Sequence, residues 1–200
     1  MTEEGIKIKE EMSRWLENEF DIIYVEQEPP GVLFEYPFIK KAVETSIKTK
    51  EPVLYIHTKG AANKAISKDS NCLKECIEKP DGVNEYDWQP TVRNLWKHEF
   101  SGERLKEYIK VVNRDKPTVV CPFTGEGKIT WYNGFMMNYG ASLILSRKLK
   151  KSEDRFYFER MFKYTDGIEV VGMISNNCNL KGPIRKELYE ETWKFYKTKN

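Results

Sequence analysis

The amino-acid sequence predicts an α/β fold in which helices flank a mostly parallel central sheet. Helical and strand-like segments alternate through residues 3–56, a pattern typical of helices packed on the faces of a parallel sheet. The apolar run Val-Leu-Tyr-Ile at residues 53–56 indicates a buried strand, and polar residues follow it at once. Because ligands of open α/β sheets bind at the carboxyl ends of the strands, residues 57–60 form the first candidate site.

The composition is that of one ordinary globular domain over residues 1–200. Hydrophobic residues make up 40% of the chain and charged residues 32%, which argues against a disordered or membrane-embedded protein. A formal net charge of +2 is too close to neutral for a dedicated nucleic-acid surface. No apolar run approaches the roughly 20 residues of a spanning helix, and the N-terminus lacks the pattern of a signal peptide. We therefore expect a cytoplasmic protein with no transmembrane segment.

The first elements in chain order are two helices and two strands. Residues 3–19 have the apolar spacing of an amphipathic helix. Residues 21–25 predict a strand, and the Pro-Pro-Gly sequence at residues 29–31 predicts a turn. Pro37 fits the first turn of a helix over residues 38–49, which precedes the strand at residues 53–56.

Three helices and one strand are predicted in the middle of the chain. The helices cover residues 61–79, a segment with Trp88, Trp96 and Phe100, and residues 105–112, and the strand covers residues 118–121. Residues 122–128 contain two glycines and predict a plain loop. The alternative, a phosphate-binding loop, lacks both the Gly-Lys-Ser/Thr ending and the helix that should follow it.

The last two predicted elements carry candidate binding and catalytic residues. Residues 129–138 predict a strand interrupted at Asn133 and Gly134, where the backbone must approach something closely; the alternative is a bulge in a core strand. Residues 152–162 predict a helix with an acidic first turn, on which Asp154 and Glu159 are candidate carboxylates of a crevice. The same pattern allows Asp154 to cap this helix and Glu159 to pair with the arginine four residues earlier.

Two other features of the chain each allow more than one function, and a third argues against a zinc site. The basic residues Arg147, Lys148, Lys150 and Lys151 predict a solvated helix end, with an anion-binding or membrane-surface patch as the alternative. The aromatic content of 13% fits a sugar platform, a membrane-peripheral face or a large core. The four cysteines predict free thiols, and the Cys72–Cys76 pair lacks two further zinc ligands at a recognised spacing.

Five short segments, taken in order, resemble a group of bacterial and viral glycosyltransferase-like proteins with a GT-A type, Rossmann-like fold. They are Phe-Glu-Tyr-Pro at residues 34–37, Leu-Tyr-Ile-His-Thr-Lys-Gly at 54–60, a helix containing Trp88 or Trp96, Trp-Tyr-Asn-Gly-Phe at 131–135 and Arg-Phe-Tyr-Phe-Glu at 155–159. The resemblance spans residues 20–177. The His-Thr-Lys-Gly ending of the strand is its specific part, since the other segments are short and common.

This resemblance implies transfer of a sugar from a nucleotide diphosphate sugar to a glycan, a lipid-linked or another hydroxyl acceptor. Ordinary GT-A enzymes end the corresponding strand in Asp-x-Asp, which holds Mg²⁺ or Mn²⁺ on the diphosphate, and these carboxylates are absent here. The implied donor-binding residues are His57, Thr58, Lys59 and Gly60. Lys59 would offset the charge of the leaving diphosphate without a metal ion. The structural alternative is that His57 caps the strand end and Lys59 points to water.

The resemblance also assigns the chemistry of transfer. Glu159 is the first candidate for the general base and Asp154 the second. Trp131, Asn133 and Gly134 would line the sugar or acceptor side, with the Trp131 ring as a stacking surface.

One departure from the family pattern leaves the function open. GT-A folds begin with a β-α-β unit that holds the nucleobase, whereas the first strand predicted here starts at residue 21, so this unit is abbreviated or missing. The alternative function is therefore a catalytically silent relative that binds a glycan, a nucleotide or a partner enzyme. A phosphotransfer protein based on His57 would need an acidic partner and a metal site that the sequence does not show.

Overall fold

The computed structural model describes residues 3–20, 35–56, 96–130, 134–152, 154 and 156–175. Its elements are α1 (Glu3–Glu19), α2 (Tyr36–Thr49), β1 (Val53–Ile56), a helical turn at residues 96–99, α3 (Gly102–Val112), β2 (Thr118–Gly125), β3 (Ile129–Thr130), β4 (Gly134–Met137), α4 (Tyr139–Lys148), α5 (Tyr157–Arg160), a 3-10 helix (Met161–Tyr164) and β5 (Glu169–Ser175).

Most of the predicted elements that fall in these ranges are confirmed. The helices predicted at residues 3–19, 38–49 and 105–112 are present as α1, α2 and α3, and the strands at 53–56 and 118–121 as β1 and the first half of β2. Pro37 lies in the first turn of α2, as its missing N–H allows. The strand at 21–25, the turn at 29–31, the helix at 61–79 and the segment around Trp88 were also predicted, and they lie outside the described residues.

The five strands form a mixed sheet, which corrects the prediction of a mostly parallel one. β2 pairs in parallel with β5 but antiparallel with β3 and β4, and β1 pairs antiparallel with β4. β1, β2 and β5 therefore run in one direction, and β4 lies between β1 and β2 in the opposite direction. The carboxyl ends of β1, β2 and β5 consequently lie at the same edge of the sheet as the beginning of β4.

A hairpin turn after β2 is the physical reason for the mixed sheet. The predicted loop at residues 122–128 begins instead as strand, because β2 continues to Gly125. Gly127 and Lys128 then adopt positive φ angles of 72° and 63°, which reverse the chain into β3 as in tight hairpins. A hairpin of this kind joins antiparallel strands, whereas a parallel neighbour needs a long crossover. The phosphate-loop alternative is wrong as well, since a strand and not a helix follows the turn.

Helices cover both faces of the sheet because side chains alternate along the strands. On the first face the core contains residues of α2, α4, α5 and the 3-10 helix together with Tyr55, Phe135, Met137, Val119 and Cys121. On the second face it contains residues of α1, the 96–99 turn and α3 together with Val120, Phe123 and Met136. We call these the first face and the second face below. No helix within the described ranges is long and apolar enough to span a bilayer.

The helix predicted at residues 152–162 is much shorter than expected. Of the described residues in this segment, only those from Tyr157 onward are helical, in α5 and the 3-10 helix. Before them the Asp154 N–H donates to Ser152 Oγ at 3.0 Å, and Asp154 Oδ1 accepts the Phe156 N–H at 2.9 Å. Such local side-chain hydrogen bonds offer the backbone an alternative to helical pairing, so the chain forms a turn here.

Candidate functional site

The two segments with the sequence-predicted binding residues join the described sheet at one edge. Ile56, the last residue of β1, is paired with Gly134, the first residue of β4. Residues 57–60 follow Ile56 directly in the chain, and residues 131–133 directly precede Gly134. The predicted binding residues His57, Thr58, Lys59, Gly60, Trp131 and Asn133 themselves lie outside the described residues, and their roles stay predictions.

β3 ends at Thr130 and β4 begins at Gly134; residues 131–133 between them lie outside the described residues, so the interruption predicted at Asn133 and Gly134 stays a prediction. A Cβ atom added to Gly134 would lie 2.7 Å from Cη2 of Trp96 and 2.9 Å from its Cζ2, and the Trp96 ring is fully buried. The close approach inferred from the glycine is therefore made to an indole of the protein itself. Since Trp96 belongs to the second face, a ligand contacting Gly134 would have to reach it from the first face. The sugar-lining role of Gly134 stays a prediction.

A buried carboxylate lies on the first face next to the end of β1. Glu35 immediately precedes α2 and is only 8% exposed. Its Oε2 accepts a hydrogen bond of 3.1 Å from the hydroxyl of Tyr55, the penultimate residue of β1. A carboxylate at the start of a helix also interacts favourably with the helix dipole. The sequence alone assigned no role to Glu35 or Tyr55. Its one signal was the alternation along β1, which places the Tyr55 side chain on the opposite face of the sheet from the residues on either side of it.

Glu159, the first candidate for the general base, lies on the same face. It is 7% exposed, and the residues around it in α5 and the 3-10 helix are anchored in the core by Phe158 and Phe162. The Phe162 ring packs edge-on against Phe135 at 5.2 Å, and Phe135 contacts Tyr55 at the same centroid distance. An aromatic row thus lies between the elements that carry the two buried carboxylates. Thr130, the last residue before the segment 131–133, donates a 3.5 Å hydrogen bond to the Glu159 carbonyl.

Asp154, the second candidate, has a different environment. Its side chain is exposed, and one carboxylate oxygen already accepts the Phe156 N–H. Asp154 therefore does not cap the helix as the alternative predicted, because α5 begins after Phe156 without a side-chain cap; its carboxylate closes a local turn instead. The arginine at residue 155, proposed as the partner of Glu159, lies outside the described residues. Of the two carboxylates, only Glu159 is shielded from water. Electrostatic interactions are stronger in such surroundings than in water.

A third buried carboxylate organises the second face. Glu99 is 2% exposed and accepts hydrogen bonds from Arg104 Nη2 at 2.7 Å and from the Tyr108 hydroxyl at 2.8 Å, while His98 Nδ1 lies 2.8 Å from its other oxygen. Arg104 and Tyr108 are four residues apart on α3 and so share one side of that helix. This spacing is the only sequence signal of the cluster. The cluster fixes the 96–99 turn against α3 and thereby holds Trp96 in place behind Gly134.

Comparison with protein-family profiles, with curated proteins and with solved structures found no match for this chain. Among the residues that the structure describes, no group of three or more His, Cys, Asp or Glu side chains is placed to hold a metal ion.

The protonation of the Glu99 cluster follows from its burial. The pKa of Tyr108 is raised, mainly because burial disfavours the phenolate and further because Glu99 is negatively charged nearby. The pKa of Arg104 is raised too: burial alone lowers it, but the hydrogen bond and charge of Glu99 outweigh that effect. Tyr108 is thus a neutral donor and Arg104 a cation, and both donate to Glu99.

Replacing Tyr108 with phenylalanine is expected to destabilise the protein in a pH-dependent way. Near pH 8 the free energy of unfolding should fall by about 1–3 kcal/mol, because buried Glu99 loses a hydrogen-bond donor. Because its pKa is raised, Tyr108 keeps its proton in the native state, whereas the unfolded chain releases that proton above about pH 10. The difference in free energy of unfolding between wild type and variant is therefore complete below about pH 10. Above about pH 10 this difference should shrink by at most about 1.4 kcal/mol per pH unit. Urea unfolding of both proteins over this pH range measures the gap, and a gap that stays constant contradicts the raised pKa.

Proposed function

We propose that this protein is a glycosyltransferase that moves a sugar from a nucleotide diphosphate sugar to a glycan or another hydroxyl acceptor, without an Asp-x-Asp metal site. The pairing of Ile56 with Gly134 carries the proposal, because it joins the predicted donor segment and the predicted sugar segment to one edge of the sheet. The carboxyl ends of β1, β2 and β5 also lie at this edge, where α/β sheets bind ligands. The proposal needs only this shared edge, and the mixed strand directions leave it in place.

The buried carboxylates of the first face support a division of roles. In the proposed reaction the acceptor oxygen bonds to the anomeric carbon, the bond from that carbon to the diphosphate breaks, and Glu159 takes the acceptor proton. The diphosphate leaves as an anion whose added negative charge is offset by Lys59. Glu35 is held on the same face by the Tyr55 hydroxyl at 3.1 Å.

Transfer is expected to persist in the presence of EDTA and to depend on Lys59. Lys59→Ala should lower kcat by about 100- to 1000-fold, the range observed when one preorganised donor to a developing anion is removed. Lys116→Ala, which truncates an exposed lysine just before β2, is the matched control and should be fully active. Initial rates with and without EDTA make the measurement. Complete loss of activity in EDTA that Mn²⁺ restores would show that a metal ion holds the diphosphate.

The second candidate function is a catalytically silent module that binds a glycan, a nucleotide or a partner enzyme. It is favoured by one observation, the His-Thr-Lys sequence at residues 57–59 in place of the metal-binding Asp-x-Asp. Calorimetric titration with a panel of nucleotide diphosphate sugars separates the two functions. Donor binding accompanied by slow donor hydrolysis supports the transferase, and the absence of binding to every donor supports the module.

A further inference from the structure

Exposed aromatic rings concentrate around α5 and the 3-10 helix. The exposed large hydrophobic side chains of the described residues are Ile109, Phe156 and Tyr164, at 38%, 48% and 62%. Phe156 directly precedes α5, and Tyr164 is the last residue of the 3-10 helix. Half-buried Tyr157 stacks on Tyr164 with ring planes 5° apart and centroids at 6.5 Å, and the Arg160 guanidinium lies 5.6 Å from the Phe156 ring centre. These contacts hold the rings at the surface in fixed positions.

The same part of the chain carries an excess of positive charge. Residues 147–164 contain seven Lys or Arg and three Asp or Glu, a formal charge of +4, whereas the whole chain carries +2. The rest of the chain is therefore net acidic. Arg147, Lys148, Lys150, Lys151 and Lys163 are all exposed.

Packing keeps the basic and the aromatic groups on one side of the molecule. Leu149, between the basic residues, and Tyr157, beneath Tyr164, both pack against the core of the first face. A Cβ atom added to Gly167, just after the 3-10 helix, would lie 3.3 Å from the Ile144 side chain of α4. α4 and the segment after the 3-10 helix are thus close together, and both lie on the first face. We call Arg147, Lys148, Lys150, Lys151, Phe156, Arg160, Lys163 and Tyr164 the basic-aromatic surface.

We propose that the basic-aromatic surface binds the headgroup region of an anionic phospholipid bilayer. Exposed lysines and arginines are attracted to the negative surface potential of such a membrane, and each contributes roughly a fivefold increase in binding. Tyrosine is enriched at the membrane–water interface, where its apolar ring and polar hydroxyl are both accommodated, and phenylalanine supplies apolar contact area in interfacial helices. A soluble polyanion without bases or sugar rings, such as polyphosphate, would use only the charges, so the two features together favour a bilayer over such a ligand. This binding is independent of sugar transfer.

Sedimentation with vesicles tests the proposal on the full chain. The protein should bind vesicles of phosphatidylcholine mixed with phosphatidylserine and not vesicles of phosphatidylcholine alone, and high salt should weaken the binding. Lys150→Gln combined with Lys151→Gln should lower the partition coefficient about 30-fold. Phe156→Ala and Tyr164→Ala should each lower it by about fivefold to tenfold, because a partly exposed ring no longer enters the interface. Both rings are exposed, and thermal unfolding of each variant checks that the fold is kept.

Matched controls lie on α3, which packs on the opposite face of the sheet. Lys106→Gln combined with Lys110→Gln makes the same change of charge, and Ile109→Ala removes the third exposed apolar side chain. Neither should change the binding. Equal binding to both kinds of vesicle, or an equal loss in the α3 double variant, overturns the proposal. The proposal is also overturned if both aromatic variants bind vesicles as tightly as the wild type does and heparin competes fully for the site. That result identifies a site for soluble polyanions.

Discussion

Replacing Glu159 with glutamine is expected to lower the rate of sugar transfer by about a thousandfold or more and to leave donor binding unchanged. An amide cannot accept the proton of the attacking hydroxyl, and general-base catalysis contributes roughly 100- to 10,000-fold in rate. Glutamine has nearly the same shape, and it keeps the backbone carbonyl that accepts the 3.5 Å hydrogen bond from Thr130. Initial rates give kcat, and calorimetric titration with the donor gives its Kd.

Asp154→Asn is the control for this experiment. Asp154 is exposed, and asparagine keeps the oxygen that accepts the Phe156 N–H. The variant should therefore retain the turn before α5 and transfer sugar at a rate within about twofold of wild type. Loss of activity in Asp154→Asn with full activity in Glu159→Gln would move the base to Asp154. Full activity in both variants would leave Glu159 with a structural role only.

Several elements of the fold could be predicted from the sequence, but β5, the bounds of α4 and the direction of the strands were not. The apolar run of β1 and the helical spacing in α1 are local signals, and both predictions are confirmed. The mixed sheet depends on the reversal at Gly127 and Lys128, both at positive φ. A lysine in this conformation has no sequence signature, since residues other than glycine rarely adopt it. The glycines of residues 122–128 therefore predicted a loop, where the chain forms a hairpin.

The candidate site could be predicted only where its signal is local. A glycine in a strand indicates a close approach, and Gly134 makes one, but nothing in the sequence names Trp96 as the group it meets. Glu35 and Tyr55 are 20 residues apart and meet only because α2 packs beside β1. The predicted helix at residues 152–162 failed for the opposite reason, because the local hydrogen bonds of Asp154 outweigh the helical spacing of the aromatic residues after it.

Replacing Gly134 with alanine is expected to lower the free energy of unfolding by about 1–3 kcal/mol, the usual result of overpacking a dense core. The new methyl group would lie 2.7 Å from Cη2 of Trp96, closer than two carbon atoms can approach. Neither side can move freely, because the indole is fully buried and the 96–99 turn is fixed through Glu99, Arg104 and Tyr108. Urea unfolding of the variant and the wild type measures the difference.

A double-mutant cycle with Trp96→Phe separates this clash from a general intolerance of β4 to alanine. Phenylalanine lacks the outer ring atoms that the methyl group would strike, so Trp96→Phe alone leaves a gap and the alanine partly fills it. The double variant should therefore be more stable than the sum of the two single changes, by roughly 1–2 kcal/mol. Strictly additive losses would mean that Trp96 does not press on Gly134.

Because Gly134 pairs with Ile56, the clash should also displace the edge of the sheet that leads into the donor segment. In that case Gly134→Ala weakens donor binding, and Trp96→Phe in the same chain restores part of it.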